Sequence, residues 1–114
     1  MKRLFVFVLL ALCPVFAQNR LETTWQNGKQ SFTLSAGKIS GFAGCNNFNG
    51  RYKQSGVRLE FTGFATTRKA CEKSLMDAES TFLSRLASVK SYSVSGDGKC
   101  LTLLGDAVLR FVNR

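Results

Sequence analysis

The sequence contains no histidine, and its single proline is Pro14. The absence of histidine excludes the Ser-His and Cys-His pairs that activate nucleophiles, and it removes the commonest transition-metal ligand. The acidic residues also form no spaced pair typical of acid/base catalysis. We therefore expect a non-enzymatic protein without catalytic residues, a metal site or a cofactor.

The first 17 residues have the layout of a secretory signal peptide. Lys2 and Arg3 precede an apolar run at 4–13 that is too short to span a bilayer, and Val15 and Ala17 fit the cleavage positions. We expect cleavage after Ala17 and a periplasmic or secreted protein. An uncleaved N-terminal anchor is the alternative.

Cleavage would leave a single domain over residues 18–114, which contains no further apolar segment able to cross a membrane. The whole chain carries a formal charge of +9, so losing Lys2 and Arg3 leaves +7. Such a charge can attract anionic lipid, lipopolysaccharide or nucleic acid, but the basic residues are dispersed. We expect a monomer with an envelope protein or lipid as its partner, and no specific nucleic-acid partner.

Apolar residues alternate with polar ones along much of the chain, which predicts short strands. Val57, Leu59 and Phe61 form the clearest inward face, and Asn49-Gly50 is typical of a two-residue hairpin turn. The predicted strands cover 31–35, 38–42, 51–54, 57–61, 90–95, 100–104 and 107–112, and the last two are apolar on both faces, as expected if the helix covers one side.

The period changes to that of a helix over residues 75–88. Leu75, Phe82 and Leu86 share one face, and Ser74 with Asp77 is typical of a capping box. The predicted fold is therefore α+β and mostly antiparallel: a small curved β-meander of about six to eight strands packed around one inserted α-helix.

Cys45, Cys71 and Cys100 would remain after loss of Cys13 with the signal peptide. We predict a Cys45–Cys71 disulfide, which would stabilise the fold by about 3.5 kcal/mol in the chain-entropy model. The alternatives are a reduced buried pair, a zinc site lacking its usual ligand spacing, and a catalytic Cys45 with a Glu or Lys base. Cys100 would be free or intermolecular, either near the surface or buried.

Three ordered motifs resemble those of the META domain family, also called the HslJ family: SGFAGCNNFNGRY at 40–52, FATTRKAC at 64–71 and AESTFLSRL at 78–86. Asn47 and Lys69 depart from the residues common in the family. Trp25 matches an early family tryptophan, but the following Asn27-Gly28 suggests a trimmed or missing edge strand. The resemblance implies an exported or envelope-associated bacterial protein linked to heat shock, drug tolerance or secretion, with no established catalytic mechanism.

The motifs allow two interpretations. In the structural one, turn-forming and polar residues build a rigid corner in which Arg68 contacts backbone carbonyls or Glu79; its members are Gly41, Gly44, Asn46, Gly50, Thr67 and Arg68. In the functional one, the same region presents a binding surface with an exposed Phe48; its members are Phe48, Arg51, Tyr52 and Lys69.

The leading hypothesis is a non-enzymatic, exported envelope protein with a binding or stress-protective role. A small-ligand or lipid carrier is the first alternative, because a curved sheet closed by a helix can enclose a pocket and the chain has ten phenylalanines. An inhibitor of an envelope hydrolase is the second alternative, although no residue selects a target.

Overall fold

A computed structural model describes residues 21–113, so the expected signal peptide, its cleavage site and Cys13 lie outside the described residues. The described chain forms eight antiparallel strands and one helix, which confirms the predicted α+β meander. The elements are β1 Thr24–Asn27, β2 Gln30–Ser35, β3 Lys38–Phe42, β4 Asn47–Ser55, β5 Arg58–Thr66, α1 Lys73–Ala87, β6 Ser91–Val94, β7 Cys100–Leu104 and β8 Val108–Asn113.

The sheet closes into a barrel because its first strand pairs with its last. Trp25 lies opposite Asn113 and Gln26 lies opposite Val112, in antiparallel register. Of the two possibilities expected for the edge strand, trimmed or missing, the structure shows the first: β1 is present with four residues. Trp25 is buried, and its indole Nε1 donates to the Leu21 carbonyl at 3.1 Å.

Helix α1 packs on the interior of the barrel. It connects β5 and β6, which share a single residue pair, Arg58 opposite Ser91, within the described chain. Phe82 of α1 enters the interior, with ring centroids 5.8 Å from Phe48 and 6.2 Å from Phe111. These two rings come from β4 and β8, so the helix contributes core volume that is shared with strands other than the two it connects.

The start of the helix differs from the predicted capping box. Helix α1 begins at Lys73, and the preceding Glu72 makes no side-chain capping hydrogen bond. Asp77 instead pairs with Lys73 one turn earlier, with Nζ and Oδ2 2.8 Å apart. The predicted capping box is therefore wrong, because Ser74 lies inside the helix, one residue after its start.

The interior is a continuous apolar core in which aromatic rings touch one another. Edge-on contacts join Phe32 to Phe111 at 4.9 Å and Tyr52 to Phe61 at 6.4 Å between ring centroids. Edge-to-face contacts of this kind are favourable, because the positive edge of one ring meets the negative face of the other. We call the following set the aromatic interior: Phe32, Phe48, Phe61, Phe82 and Phe111.

The predicted hairpin turn at Asn49-Gly50 is wrong, because β4 runs through both residues. The register shifts there, so that Gly63 and Phe64 of β5 together face Gly50, and Gly63 has a φ of 69°. This is a β-bulge with glycine in the left-handed region. Gly50 is needed for close approach, since a Cβ on it would lie 3.0 Å from the Thr62 carbonyl oxygen.

The outer side of the β7–β8 hairpin is not covered by the helix, contrary to expectation. Val108 and Val112 are 57% and 50% exposed, and Leu104 is also exposed. Val57 is likewise exposed, because it lies in the β4–β5 turn rather than on the inward face of β5. Within residues 21–113, no helix has the length and apolarity needed to cross a membrane.

Candidate functional site

The predicted disulfide is confirmed: Cys45 and Cys71 are joined, with Cα atoms 6.1 Å apart. Cys45 lies in the loop between β3 and β4, and Cys71 precedes α1. The bond therefore ties one end of the barrel to the start of the helix. Cys100 is a free, exposed cysteine at the first position of β7.

A buried carboxylate lies beside this bond and organises the β3–β4 loop. Glu79 Oε1 accepts the backbone N–H groups of Asn46 at 2.6 Å and Cys45 at 3.3 Å. Its Oε2 accepts the Asn46 Nδ2 amide at 3.0 Å. Because all three donors belong to Cys45 and Asn46, the carboxylate anchors the β3–β4 loop to the helix.

Asn46 joins that carboxylate to the segment that follows β5. Its Oδ1 accepts from the Lys69 backbone N–H at 2.6 Å and from Thr67 Oγ1 at 2.9 Å. Its Nδ2 also donates to the Lys69 carbonyl at 3.2 Å. One side chain thus substitutes for a strand partner along residues 67–69. We call the following set the polar corner: Cys45, Asn46, Thr67, Cys71 and Glu79.

Two glycines of the first motif let the backbone reach the polar corner. A Cβ on Gly41 would lie 2.0 Å from the Ser31 carbonyl oxygen, which no residue with a side chain can accommodate. Gly44 has a φ of 125°, in a region that residues with a Cβ rarely adopt. These positions explain the motif through sterics alone.

Arg68 does not take the place predicted for it. Its side chain is exposed, and the described structure shows no contact between it and Glu79. The oxygens of Glu79 already accept three N–H groups from the β3–β4 loop, which leaves Arg68 directed elsewhere. Of the predicted corner residues, Gly44, Asn46 and Thr67 come together, whereas Gly41 lies on β3 against β2 and Gly50 belongs to the β4–β5 bulge.

The residues predicted to form a binding surface do not lie together, because some point into the barrel and others lie outside it. Phe48 is only 2% exposed and Tyr52 only 8%, because both point into the interior from β4. Arg51 lies on the outer side of the same strand, and Lys69 lies in the loop beyond β5. The expectation of an exposed Phe48 is wrong, since it depended on a turn that does not form.

Glu79 and Gln30 are the residues of this region whose roles the sequence did not reveal. Gln30 Nε2 donates to the carbonyls of Ala43 at 3.0 Å and Ala78 at 3.4 Å, linking β2 to both the loop and the helix. For Glu79, the sequence did offer one indication of this role: a carboxylate lies on the apolar face of the helix, three residues before Phe82. Within residues 21–113, no three His, Cys, Asp or Glu side chains are placed to hold a metal ion.

A second polar contact lies at the opposite end of β4. Tyr52 donates its hydroxyl to Glu22 Oε2 at 3.4 Å, and the same oxygen accepts the Ala36 backbone N–H at 2.9 Å. Burial raises the pKa of the Tyr52 phenol above its usual value, and the negative charge of Glu22 adds to the effect. The phenol is therefore held in its neutral, donating form.

Three solved structures share the fold. The NMR structure of a protein from Burkholderia xenovorans has a TM-score of 0.73 and 23% identity, and the match covers 89% of this chain and 88% of that one. A second NMR structure gives 0.65 and 22%, covering 85% and 93%. A crystal structure of a DUF4847 family protein from Bacteroides vulgatus gives 0.61 and 15%, covering 75% and 60%.

The TM-scores show a shared fold and no more, and the family assignment comes from the sequence itself. Among curated proteins, none matches the chain. The family model for the META domain matches residues 17–114, which includes the polar corner, the helix and every strand described above. The chain therefore belongs to the META domain family.

Proposed function

We propose that the protein is a non-enzymatic binding module of the bacterial envelope that contributes to tolerance of heat, envelope stress or drugs. The observation that carries the proposal is the polar corner, where a disulfide and a buried carboxylate fix one end of the barrel. Structural disulfides persist in oxidising compartments, which supports a periplasmic or secreted location.

The polar corner supports a binding role better than a catalytic one. Glu79 is buried and accepts three N–H groups of the scaffold, and Cys45 has no free thiol because it is in the disulfide, so both side chains have structural roles. Both groups rigidify the scaffold. A rigid scaffold lowers the entropy lost when a partner binds to its surface.

The interior favours recognition on the outside of the barrel rather than inside it. Phe82 packs edge-on against Phe48 and Phe111, so rings from the helix and from two strands occupy the centre. A lipid carrier would require these rings to separate. This packing supports capture of a partner on an exposed face.

Deletion of the gene, with fractionation of the complemented strain, tests the proposal. We expect the protein in the envelope or medium with Cys45 and Cys71 oxidised, and reduced survival of the deletion strain under heat, envelope or antibiotic stress. Complementation with the Cys45→Ser/Cys71→Ser double variant should restore survival less well than Cys100→Ser. A cytoplasmic protein with reduced thiols, or a deletion with no stress phenotype, would contradict the proposal.

A further inference from the structure

The outer face of β3, β4 and β5 has a concentration of positive charge. Lys38, Arg51 and Lys53 point outward on adjacent strands, and none forms an ion pair within the described chain. The nearby carboxylate of Glu60 is engaged by Arg58, with Nη2 and Oε2 3.6 Å apart. We call Lys38, Arg51 and Lys53 the cationic face.

Two members of the cationic face lie directly opposite each other. Lys38 pairs with Arg51 in the β3–β4 register, which places two like charges at adjacent cross-strand positions. Such pairs destabilise a sheet. The like charges of the pair therefore repel each other in the isolated chain, whereas an anion between the two side chains would convert the repulsion into attraction.

The β4–β5 bulge positions one of these cations. A Cβ on Gly63 would lie 3.3 Å from Nη2 and 3.7 Å from Cζ of Arg51, so the guanidinium packs against the bare backbone of the bulge. The same guanidinium borders a concavity of about 370 Å³ that is also lined by Lys38, Ser40 and Asn49. The concavity thus combines two cations with an hydroxyl and an amide, which are suitable ligands for a phosphate group.

We propose that the cationic face docks on the phosphate headgroups of an anionic membrane surface. Charge complementarity supports this occupant, because basic residues near such a surface attract anionic lipids. Phe42 alternates with Lys38 and Ser40 on the outward side of β3 and is only partly buried, so it adds an apolar side chain farther along the same strand. The inference deepens the proposed envelope role by identifying the exposed face and the chemical class of its ligand.

Vesicle co-sedimentation tests the inference with processed protein purified after expression of the full-length chain. We expect binding to phosphatidylglycerol-containing vesicles, weak binding to pure phosphatidylcholine vesicles, and loss of binding as salt screens the charges. Lys38→Gln/Arg51→Gln should lower the partition coefficient about thirtyfold, as expected for two basic surface contacts.

The matched control removes two positive charges from a different part of the barrel. Lys99→Gln/Arg110→Gln alters the turn before β7 and the outer side of β8, and should lower partitioning less than about threefold. The Lys38→Gln/Arg51→Gln variant should have a melting temperature close to that of the wild type, because relief of the like-charge pair offsets the loss of Arg51 packing against Gly63.

Three results would overturn the inference: no binding to anionic vesicles, an equal loss in both double variants, or binding of inorganic phosphate without binding of vesicles. The assay uses purified components, so its failure would leave the deletion and fractionation results untouched. Conversely, a missing stress phenotype would not affect the measured vesicle partitioning. The two proposals can therefore fail separately.

Discussion

The polar corner and the aromatic interior meet on one helix, three residues apart, but they hold the barrel in different ways. At Glu79 the helix anchors a loop through three directed hydrogen bonds beside a disulfide. At Phe82 it inserts a ring between two others at centroid distances near 6 Å. The first contact depends on donor and acceptor identity, and the second depends on volume.

This difference determines what each region tolerates. A hydrogen-bonded group buried at the polar corner cannot change its donors without leaving a buried partner unsatisfied, which costs about 1–3 kcal/mol for each group. Apolar core positions accept volume-conserving swaps for less than about 1.5 kcal/mol. Substitutions that preserve shape should therefore lower the unfolding free energy more at the polar corner than in the aromatic interior.

The largest effect is expected from Asn46→Asp, which preserves shape and changes only donors. The new carboxylate would face Glu79 Oε2 and the Lys69 carbonyl, where Nδ2 now donates at 3.0 and 3.2 Å. We expect a loss of about 4 kcal/mol in unfolding free energy at pH 7, measured by urea titration. The loss should shrink as the pH falls, because a protonated carboxyl can donate again.

Asn47→Asp is the matched control, because Asn47 is the exposed neighbour of Asn46. Its side chain is on the surface, so the same chemical change should alter stability by less than about 0.5 kcal/mol. Similar losses at both positions would show that the polar corner has no special demand for donors.

The next effect separates the covalent part of the polar corner from its hydrogen bonds. Cys45→Ser/Cys71→Ser opens a loop with a sequence separation of 26 residues, so it should lower the unfolding free energy by about 3.5 kcal/mol. Reduced wild-type protein should unfold at the same urea concentration as the variant. Cys100→Ser should have little effect, and equal stability of reduced and oxidised wild type would refute the estimate.

The sequence predicted those parts of the fold that depend on local pattern. Alternation located β3 at 38–42 and β7 at 100–104 with their observed bounds, because inward and outward positions differ sharply there. It failed at Asn49-Gly50, where a strong turn signal lies inside β4. The competing demand was steric: Gly50 is required by the approach of the bulged β5 strand, a non-local contact.

The sequence identified most residues of the polar corner but not the hydrogen bonds that join them. Cysteine counting indicated the Cys45–Cys71 bond, and the motif marked Asn46 and Thr67. The partner of Asn46 is Glu79, 33 residues away, and the hydrogen bonds that join them depend on how the helix returns to the barrel. Neither spacing nor charge could distinguish Glu79 from Arg68 as the organising residue, because that choice is made by tertiary packing.

Leu86→Met tests the tolerance of the interior on the same helix. Leu86 is fully buried one turn beyond Phe82. Since methionine has a similar volume and flexible torsions, the variant should lose less than about 1.5 kcal/mol by urea titration. Glu79→Gln, also nearly isosteric, should cost more, because an amide would place N–H donors against other donors. A larger loss at Leu86 would reverse the proposed contrast.

The smallest effect at neutral pH is expected from Tyr52→Phe, because Tyr52 combines an interior ring with a polar contact to Glu22. The ring remains against Phe61, and the substitution removes the hydroxyl's contacts with Glu22 and with the Gly37 backbone, so stability at pH 7 should change by about 1 kcal/mol.

The wild type and Tyr52→Phe should differ more in alkaline solution than at pH 7. The pKa of Tyr52 is raised in the folded protein, so the folded state resists ionisation while the unfolded state loses the proton near pH 10. The folded state thus binds more protons than the unfolded state above that pH, and stability must fall as the pH rises through the folded pKa.

Tyr52→Phe removes this group, so its stability should decline less between pH 9 and 11 than that of the wild type. Parallel alkaline slopes for wild type and Tyr52→Phe would show that burial of the phenol contributes nothing to the pH dependence.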